Sequence, residues 1–319
     1  MKKFAVLSFA SFLVGCASFG PMRNVGTNTA PQYRTEQPQA ADLVRKLNEN
    51  AAQISAIEAD SVAIEIKGGG PGQQIGVNGD LHCQKPRNFR LKAKAVGKQV
   101  ADVGSNSNEF WFWNSEDRPA YLYHCSYDAF NRGGVTVPFP LQPEWVLETL
   151  GMATYDPVGN YTVRPLNDPK DPKGPPRAIE LIQSTTGPGG RPVQKVTVFN
   201  NFNASGKTPQ VVAHRVFSQN QLICEARITS VHRQQVNGQW VEVPYEMQLS
   251  FPGPQPSQSL TMQLKLGDTR VNGAEADGSR NPRLYERPKF QGVPDYDLAS
   301  GRPRDAAPTG IQRTGALRR

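Results

Sequence analysis

Between residues 40 and 54 apolar side chains recur every three or four positions, at Leu43, Leu47, Ala51 and Ile54, with Arg45, Lys46, Asn48, Glu49 and Gln53 between them. That spacing lays one apolar stripe along a helix, which must rest on something else to be buried. From there on the period is two. Val62, Ile64 and Ile66 alternate with Ala63, Glu65 and Lys67, and Phe89, Leu91, Ala93 and Ala95 alternate with Arg90, Lys92 and Lys94. Alternation of this kind predicts strands of a sheet with one apolar and one wet face. Further strands are predicted at 75–83, 98–103, 109–114 and 120–127, with a Gly- and Pro-containing hairpin loop at 68–72. Phe110, Trp111, Phe112 and Trp113 put rings on both faces of one strand, which is therefore expected to be covered on both sides or to line a cavity. A second short helix is predicted at 143–150, opened by Pro143 and carrying Trp145, Val146, Leu147 and Leu150. Strands are then predicted at 161–165, 178–183, 193–200, 210–217, 222–232, 240–251 and 260–266, with Asn237-Gly238 as a hairpin turn. The expected class is α+β, mainly antiparallel β.

The flanks differ in pattern. Residues 16–39 mix Pro, Gly, Asn, Thr and Gln with little that could enter a core, which predicts a flexible linker with a reach of about 25 Å. After Gly267 periodicity stops, and 270–319 holds ten basic and six acidic side chains. This reads as a basic, Pro/Gly-rich, largely disordered tail, with Tyr285, Phe290 and Tyr296 as local anchors. One domain, 40–269, lies between them.

The first sixteen residues set the compartment. Lys2 and Lys3 precede an apolar run, Phe4 to Val14, that ends in Leu13-Val14-Gly15-Cys16. The run is too short to span a bilayer, which needs about 20 apolar residues, and it has the layout of a signal peptide, 1–15. The ending resembles the lipobox of bacterial lipoproteins, in which the chain is cut before the cysteine and acyl chains such as palmitate are attached there. The resemblance implies lipidation of Cys16 and, with Ala17 next to it, the periplasmic face of the outer membrane. Removing Lys2 and Lys3 leaves 34 basic against 28 acidic side chains, net +6, so no nucleic acid is expected as partner.

Cys83, Cys125 and Cys224 form no Cys-x-x-Cys. His82-Cys83 and His124-Cys125 suggest a metal, but strand neighbours point to opposite faces, and no metal or cofactor is expected. If a disulfide exists, Cys83 with Cys125 is the preferred pair. None of the His-Glu-x-x-His, Gly-x-Ser-x-Gly or dinucleotide motifs occurs, and Gly206-Lys207-Thr208 fails as a phosphate loop because the glycine needed five positions earlier is Asn201. No catalytic residue and no enzyme is expected.

Gly79-Asp80-Leu81, followed by Lys85-Pro86-Arg87-Asn88-Phe89-Arg90-Leu91, resembles the "G-x-L … K/R-P-x-x-F-R" stretch of the periplasmic lipoprotein-carrier superfamily, the LolA-like and LolB-like proteins. Glu109-Phe110-Trp111-Phe112-Trp113 is similar to the strand that follows it there, and 260–266 to the closing strand. The resemblance covers 40–273. It implies a curled sheet or incomplete barrel of about ten to twelve strands, with helices covering a concave face that takes acyl chains. Val62, Ile64, Ile66, Leu81, Phe89, Leu91, Trp111, Trp113 and Trp145 are the expected cavity residues, under a lid of Leu43, Leu47 and Ile54. The same side chains could instead fill a dry core. The expected partners are lipid or an acylated lipoprotein, the membrane through Cys16, and other envelope proteins. The competing reading is a non-catalytic envelope module that binds protein, peptidoglycan or an anionic surface polymer.

Overall fold

The computed structural model describes residues 38–68, 74–135, 137, 142–171, 176–200, 209–253, 255 and 259–303. The signal peptide, Cys16 and nearly all of the linker lie outside the described residues.

The chain runs through helix α1 (Ala40–Ala52) into β1 (Ala56–Gly68), β2 (Gln74–Gln84), β3 (Asn88–Ala95), β4 (Lys98–Ser105), β5 (Glu109–Asn114) and β6 (Leu122–Ser126). Helices α2 (Tyr127–Arg132) and α3 (Pro143–Thr149) follow. Then come β7 (Tyr161–Leu166), β8 (Ala178–Thr186), β9 (Pro192–Asn200), β10 (Val211–Ser218), β11 (Gln221–Val236), β12 (Gln239–Phe251) and β13 (Leu260–Val271). The last two strands are the short β14 (Asp295–Asp297) and β15 (Arg302–Pro303). All join one open sheet in the order β15-β14-β6-β5-β4-β3-β2-β1-β13-β12-β11-β10-β9-β8-β7. Among the described residues only the β14–β6 pairing is parallel. Strand accounts for 55% and helix for 12% of the described residues, and the sheet does not close into a barrel. The mainly antiparallel curled sheet is thus as expected, with thirteen strands before residue 272 and two more after it. The strand expected to reach residue 127 stops at Ser126, whose hydroxyl accepts the Ala129 N–H at 3.3 Å and caps α2. That helix ends at Gly133, with φ +86°, a conformation that favours glycine.

The curl can be read from α3. Glu144 reaches Arg87, in the β2–β3 turn, at 3.3 Å, and Glu148 reaches Lys195, on β9, at 2.7 Å. Those two carboxylates are about 6 Å apart along the helix, whereas β2 and β9 stand six positions apart in the sheet, about 29 Å if it were flat. The sheet therefore bends around α3. Val146 and Leu147 of α3, with Leu150 and Met152 just after it, are buried against Val62, Ile64, Leu81, Phe89 and Leu91 from one side of the bend and Met247, Leu249 and Leu264 from the other.

Register separates the faces. Ala59, Leu81, Leu91, Val103 and Phe112 stand in one row across β1–β5 and face inward. Glu58, His82, Arg90, Gly104, Trp111 and His124 form the neighbouring row and face outward. This outer face is covered by the segment after β13. The buried Glu58 carboxylate accepts the backbone N–H groups of Glu275 and Ala276 at 3.0 and 2.9 Å, and Arg270 closes on it as well. The Arg90 guanidinium donates to the Leu284 carbonyl at 2.7 Å and to Asp102 at 2.9 Å. Tyr285 is buried and Phe290 stacks on Trp113 with ring centroids 4.3 Å apart, whereas Tyr296, on the edge strand β14, leans on Tyr123 at 5.3 Å on the inner face, where Tyr123 stacks on Phe112. The expectation of a largely disordered 270–319 is corrected on this point: 271–303 forms an ordered strap. Its three aromatic residues do act as anchors, and side-chain hydrogen bonds to backbone replace the missing periodicity. Residues 304–319 lie outside the described ones.

Candidate functional site

Where the bend is not filled by α3 it leaves an open cavity of about 1800 Å³. Three local features build it. Pro143 at the first turn starts α3 and aims Trp145 outward from the packed core. The β10–β11 turn, with Gln219 and Asn220 both at positive φ, places Val216 and Ile223 on one wall. The β8–β9 hairpin adds Val193 and Lys195. Trp145, Val193 and Ile223 are only partly buried and pack directly on the main core, so the apolar wall of the cavity is continuous with the interior. Phe251, Phe130 and Val135 extend it.

The cavity floor carries a buried polar cluster. Besides Lys195, the Glu148 carboxylate accepts the Tyr155 hydroxyl at 2.9 Å and has His214 Nδ1 at 3.9 Å. The Thr197 hydroxyl lies 3.3 Å from the same imidazole nitrogen. Burial pushes the Glu148 pKa up, but Lys195, His214 and Tyr155 together outweigh it and hold the carboxyl below its ordinary value. Burial holds His214 below the ordinary imidazole value, against the pull of Glu148.

A second cavity, about 1030 Å³, lies between α1 and β10–β12 and shares Glu148, Ala153 and Tyr155 as its partition with the first. Two asparagines pin α1 over it. The Asn48 side chain takes both backbone groups of Tyr155 at 2.8 Å. Asn50 does the same for Glu242, at 3.1 and 2.8 Å.

The expected site residues divide three ways. Trp145 lines the large cavity. Val62, Ile64, Leu81, Phe89 and Leu91 are buried in the core that α3 plugs, and Ile66 packs at its margin. Trp111 and Trp113 are the correction: both stand on the outer face, Trp111 with its indole N–H on Asp102 at 3.1 Å and Trp113 under Phe290. The physical reason is parity, since Phe110 and Phe112 take the inward positions of β5. Of the lid residues, Leu43 and Leu47 pack on Tyr155, Ile179, Leu181 and Phe199 rather than over the main core, whereas Ile54 belongs to that core.

The preferred disulfide is also corrected. Cys83 and Cys125 are buried free thiols on β2 and β6, with β3, β4 and β5 between them. Four strand spacings are about 19 Å, and a bridge needs Cα atoms within about 7 Å. His82 and His124 face away from their neighbouring cysteines, as alternation requires. The residues that sequence reasoning missed are Glu148, Tyr155, Lys195 and His214. Glu148 and Tyr155 lie on α3 and the loop after it, Lys195 and His214 on the paired strands β9 and β10, and the bend brings the two pairs together.

No family model matches the chain, and no curated protein matches it. Among solved structures it is similar to a DUF1329 family protein from Desulfovibrio piger, at 10% identity and a TM-score of 0.46, covering 77% of this chain and 98% of that one. It is similar to a LolA superfamily protein from Nitrosomonas europaea, at 10% identity and a TM-score of 0.42, covering 76% and 97%. It is also similar to a domain from Vibrio parahaemolyticus titled as an outer membrane lipoprotein-sorting protein, at 10% identity and a TM-score of 0.48, covering 78% and 100%.

Proposed function

We propose that this chain is a lipid-anchored envelope protein that holds acyl chains, of a lipid or of an acylated lipoprotein, in the open part of its bent sheet. In this reading Cys16 carries the anchor and holds the protein at the periplasmic face of the outer membrane. The protein then acts as a fixed acceptor in lipid or lipoprotein transport. One observation carries the reading: a cavity of about 1800 Å³ whose Trp145, Val193 and Ile223 wall is continuous with the core. Pockets for compact small molecules occupy about 300–1,000 Å³, so the space suits something larger. Apolar surface left in water inside a concavity favours burial of apolar ligand by roughly 25 cal/mol per Å².

The position of the cavity separates two roles for the concave face. The part lined by β1–β3 is filled by α3 and serves stability. The part lined by α2, α3 and β8–β11 remains open and serves the ligand.

The test uses the chain expressed without its signal and with Cys16→Ser, purified without detergent. Organic extraction and mass spectrometry are expected to recover co-purifying lipid, and delipidated protein is expected to take up a fluorescent fatty acid. Protein that holds no lipid and takes up no fatty acid, yet still binds cell-envelope fractions, would support the interaction module instead.

A further inference from the structure

We infer that the mouth of the large cavity is a recognition site for an anionic phosphodiester headgroup, formed by Arg132 and Arg191. The inference rests on the acyl-chain reading above and names the ligand class within it: an acidic phospholipid rather than a lipid or lipoprotein with an uncharged head.

Two glycine loops meet at this mouth. Arg132 is followed by Gly133 and Gly134, and Arg191 is preceded by Gly189 and Gly190. All four glycines have positive φ, between +70° and +86°. The two loops touch backbone to backbone. A Cβ added to Gly133 would lie 3.0 Å from the Gly189 Cα, and one added to Gly189 would lie 3.2 Å from the Gly133 Cα. Only residues without a side chain allow this approach. The contact joins the end of α2 to the β8–β9 hairpin and so brings two arginines, far apart in sequence, to one rim of the cavity that both line.

The charges around the cavity are only partly paired. The cavity is lined by four basic side chains, Arg87, Arg132, Arg191 and Lys195, and three acidic ones, Glu144, Glu148 and Asp156. Arg87 pairs with Glu144 at 3.3 Å and Lys195 with Glu148 at 2.7 Å. The Asp156 carboxylate accepts the Val158 N–H at 3.0 Å. Arg132 and Arg191 have no carboxylate partner among the described residues, and both side chains are exposed. A guanidinium presents a planar fork of donors that fits a phosphate ester in a bidentate manner. Two such forks beside an apolar wall match a ligand with one anionic head and long chains.

The experiment uses residues 16–319 with Cys16→Ser, so that neither lipid anchor nor signal segment competes. It is incubated with vesicles of equal parts phosphatidylglycerol and phosphatidylcholine with identical dioleoyl chains, re-isolated, and its bound lipid quantified by mass spectrometry. The expected result is enrichment of phosphatidylglycerol by about tenfold or more. In the double variant R132Q/R191Q, shown by an unchanged melting temperature to keep its fold, the enrichment is expected to fall to near unity. Excess inorganic phosphate is expected to leave the enrichment in place, because a free anion lacks the chains that supply most of the affinity. Equal uptake of both lipids by the unsubstituted protein, enrichment that survives in the double variant, or enrichment abolished by inorganic phosphate would each overturn the headgroup assignment and leave the acyl-chain reading standing. Uptake of neither lipid would overturn that reading, and the assignment with it.

Discussion

Lys195 Nζ on β9 lies 2.7 Å from Glu148 Oε2 on α3, and the carboxylate is almost wholly buried. This pair ties the helix that fills one half of the bent sheet to the strand that borders the open half. Removing one partner of a buried pair leaves the other charge stranded. Lys195→Met is accordingly expected to lower stability by about 3 kcal/mol, read as a shift in denaturant midpoint. A midpoint unchanged from that of the parent would show that α3 is held by apolar packing alone.

Acidification should weaken the fold in two steps. His214 has its pKa lowered by burial, so between the ordinary value of 6.5 and the lower folded value the unfolded chain binds a proton that the folded chain refuses. Stability therefore falls with pH through that window. Glu148, whose folded pKa is lowered, contributes stability that is complete above its ordinary value of 4.5 and is lost as pH falls through the depressed value. Denaturation midpoints measured from about pH 7 to about pH 5 are expected to decline, and less steeply in His214→Gln. Some decline should remain in that variant, because burial also lowers His82. A parent whose midpoint is flat over this range contradicts the assignment.

The strap over the outer face is expected to be part of the folding unit. Ending the chain after Gly273 removes the amide donors to Glu58, the carbonyl acceptor for Arg90 and the ring that covers Trp113. Each buried polar group left without a partner costs about 1–3 kcal/mol, so the truncated chain should melt at least about 10 °C lower or fail to fold. An unchanged melting temperature would mean that the strap lies on the sheet without supporting it.

Gly104 is a sharper probe of the same face. A Cβ there would sit 2.3 Å from the Trp111 ring, which is wholly buried and hydrogen-bonded to Asp102. Gly104→Ala should cost about 1–3 kcal/mol through displacement of the indole and alter the near-ultraviolet circular dichroism. A neutral substitution would place Trp111 elsewhere.

Each of these tests depends on facts that differ in how far the sequence displayed them. Strict alternation at Phe89, Leu91 and Ala93 shows which side chains turn inward, because every second residue there is charged. At β5 four consecutive rings erase that signal, and the two tryptophans went to the face opposite the one expected. The α3 stripe of Val146, Leu147 and Leu150 announces a buried helix but not its seat. The seat decides that Val62 and Leu81 become core while Trp145 borders the cavity. The strap was illegible for a different reason: its hold comes from backbone groups meeting Glu58, Arg90 and Asn106, and such contacts leave no period in the sequence. The Glu148 cluster depends on curvature, which no local pattern encodes.

The thiols give an inexpensive check of the same geometry. Burial raises the Cys125 pKa to about 11 and the Cys224 pKa to about 12, and Cys83 is pushed up further. All three are expected to react slowly with thiol reagents in the folded protein, and equally in denaturant with and without prior reduction. Two extra thiols after reduction would indicate a bridge that the strand order forbids.

Trp145 offers the most direct test of the proposed acyl-chain site. Its ring borders the open cavity, whereas Trp111 and Trp113 lie on the far side of the sheet. Fatty acid brominated along its chain quenches indole fluorescence only at close contact. Its addition to the delipidated protein should quench the parent strongly and the Trp145→Phe variant far less, with non-brominated fatty acid bound equally by both. Equal quenching in parent and variant, or none in either, would contradict an acyl-binding cavity at this place.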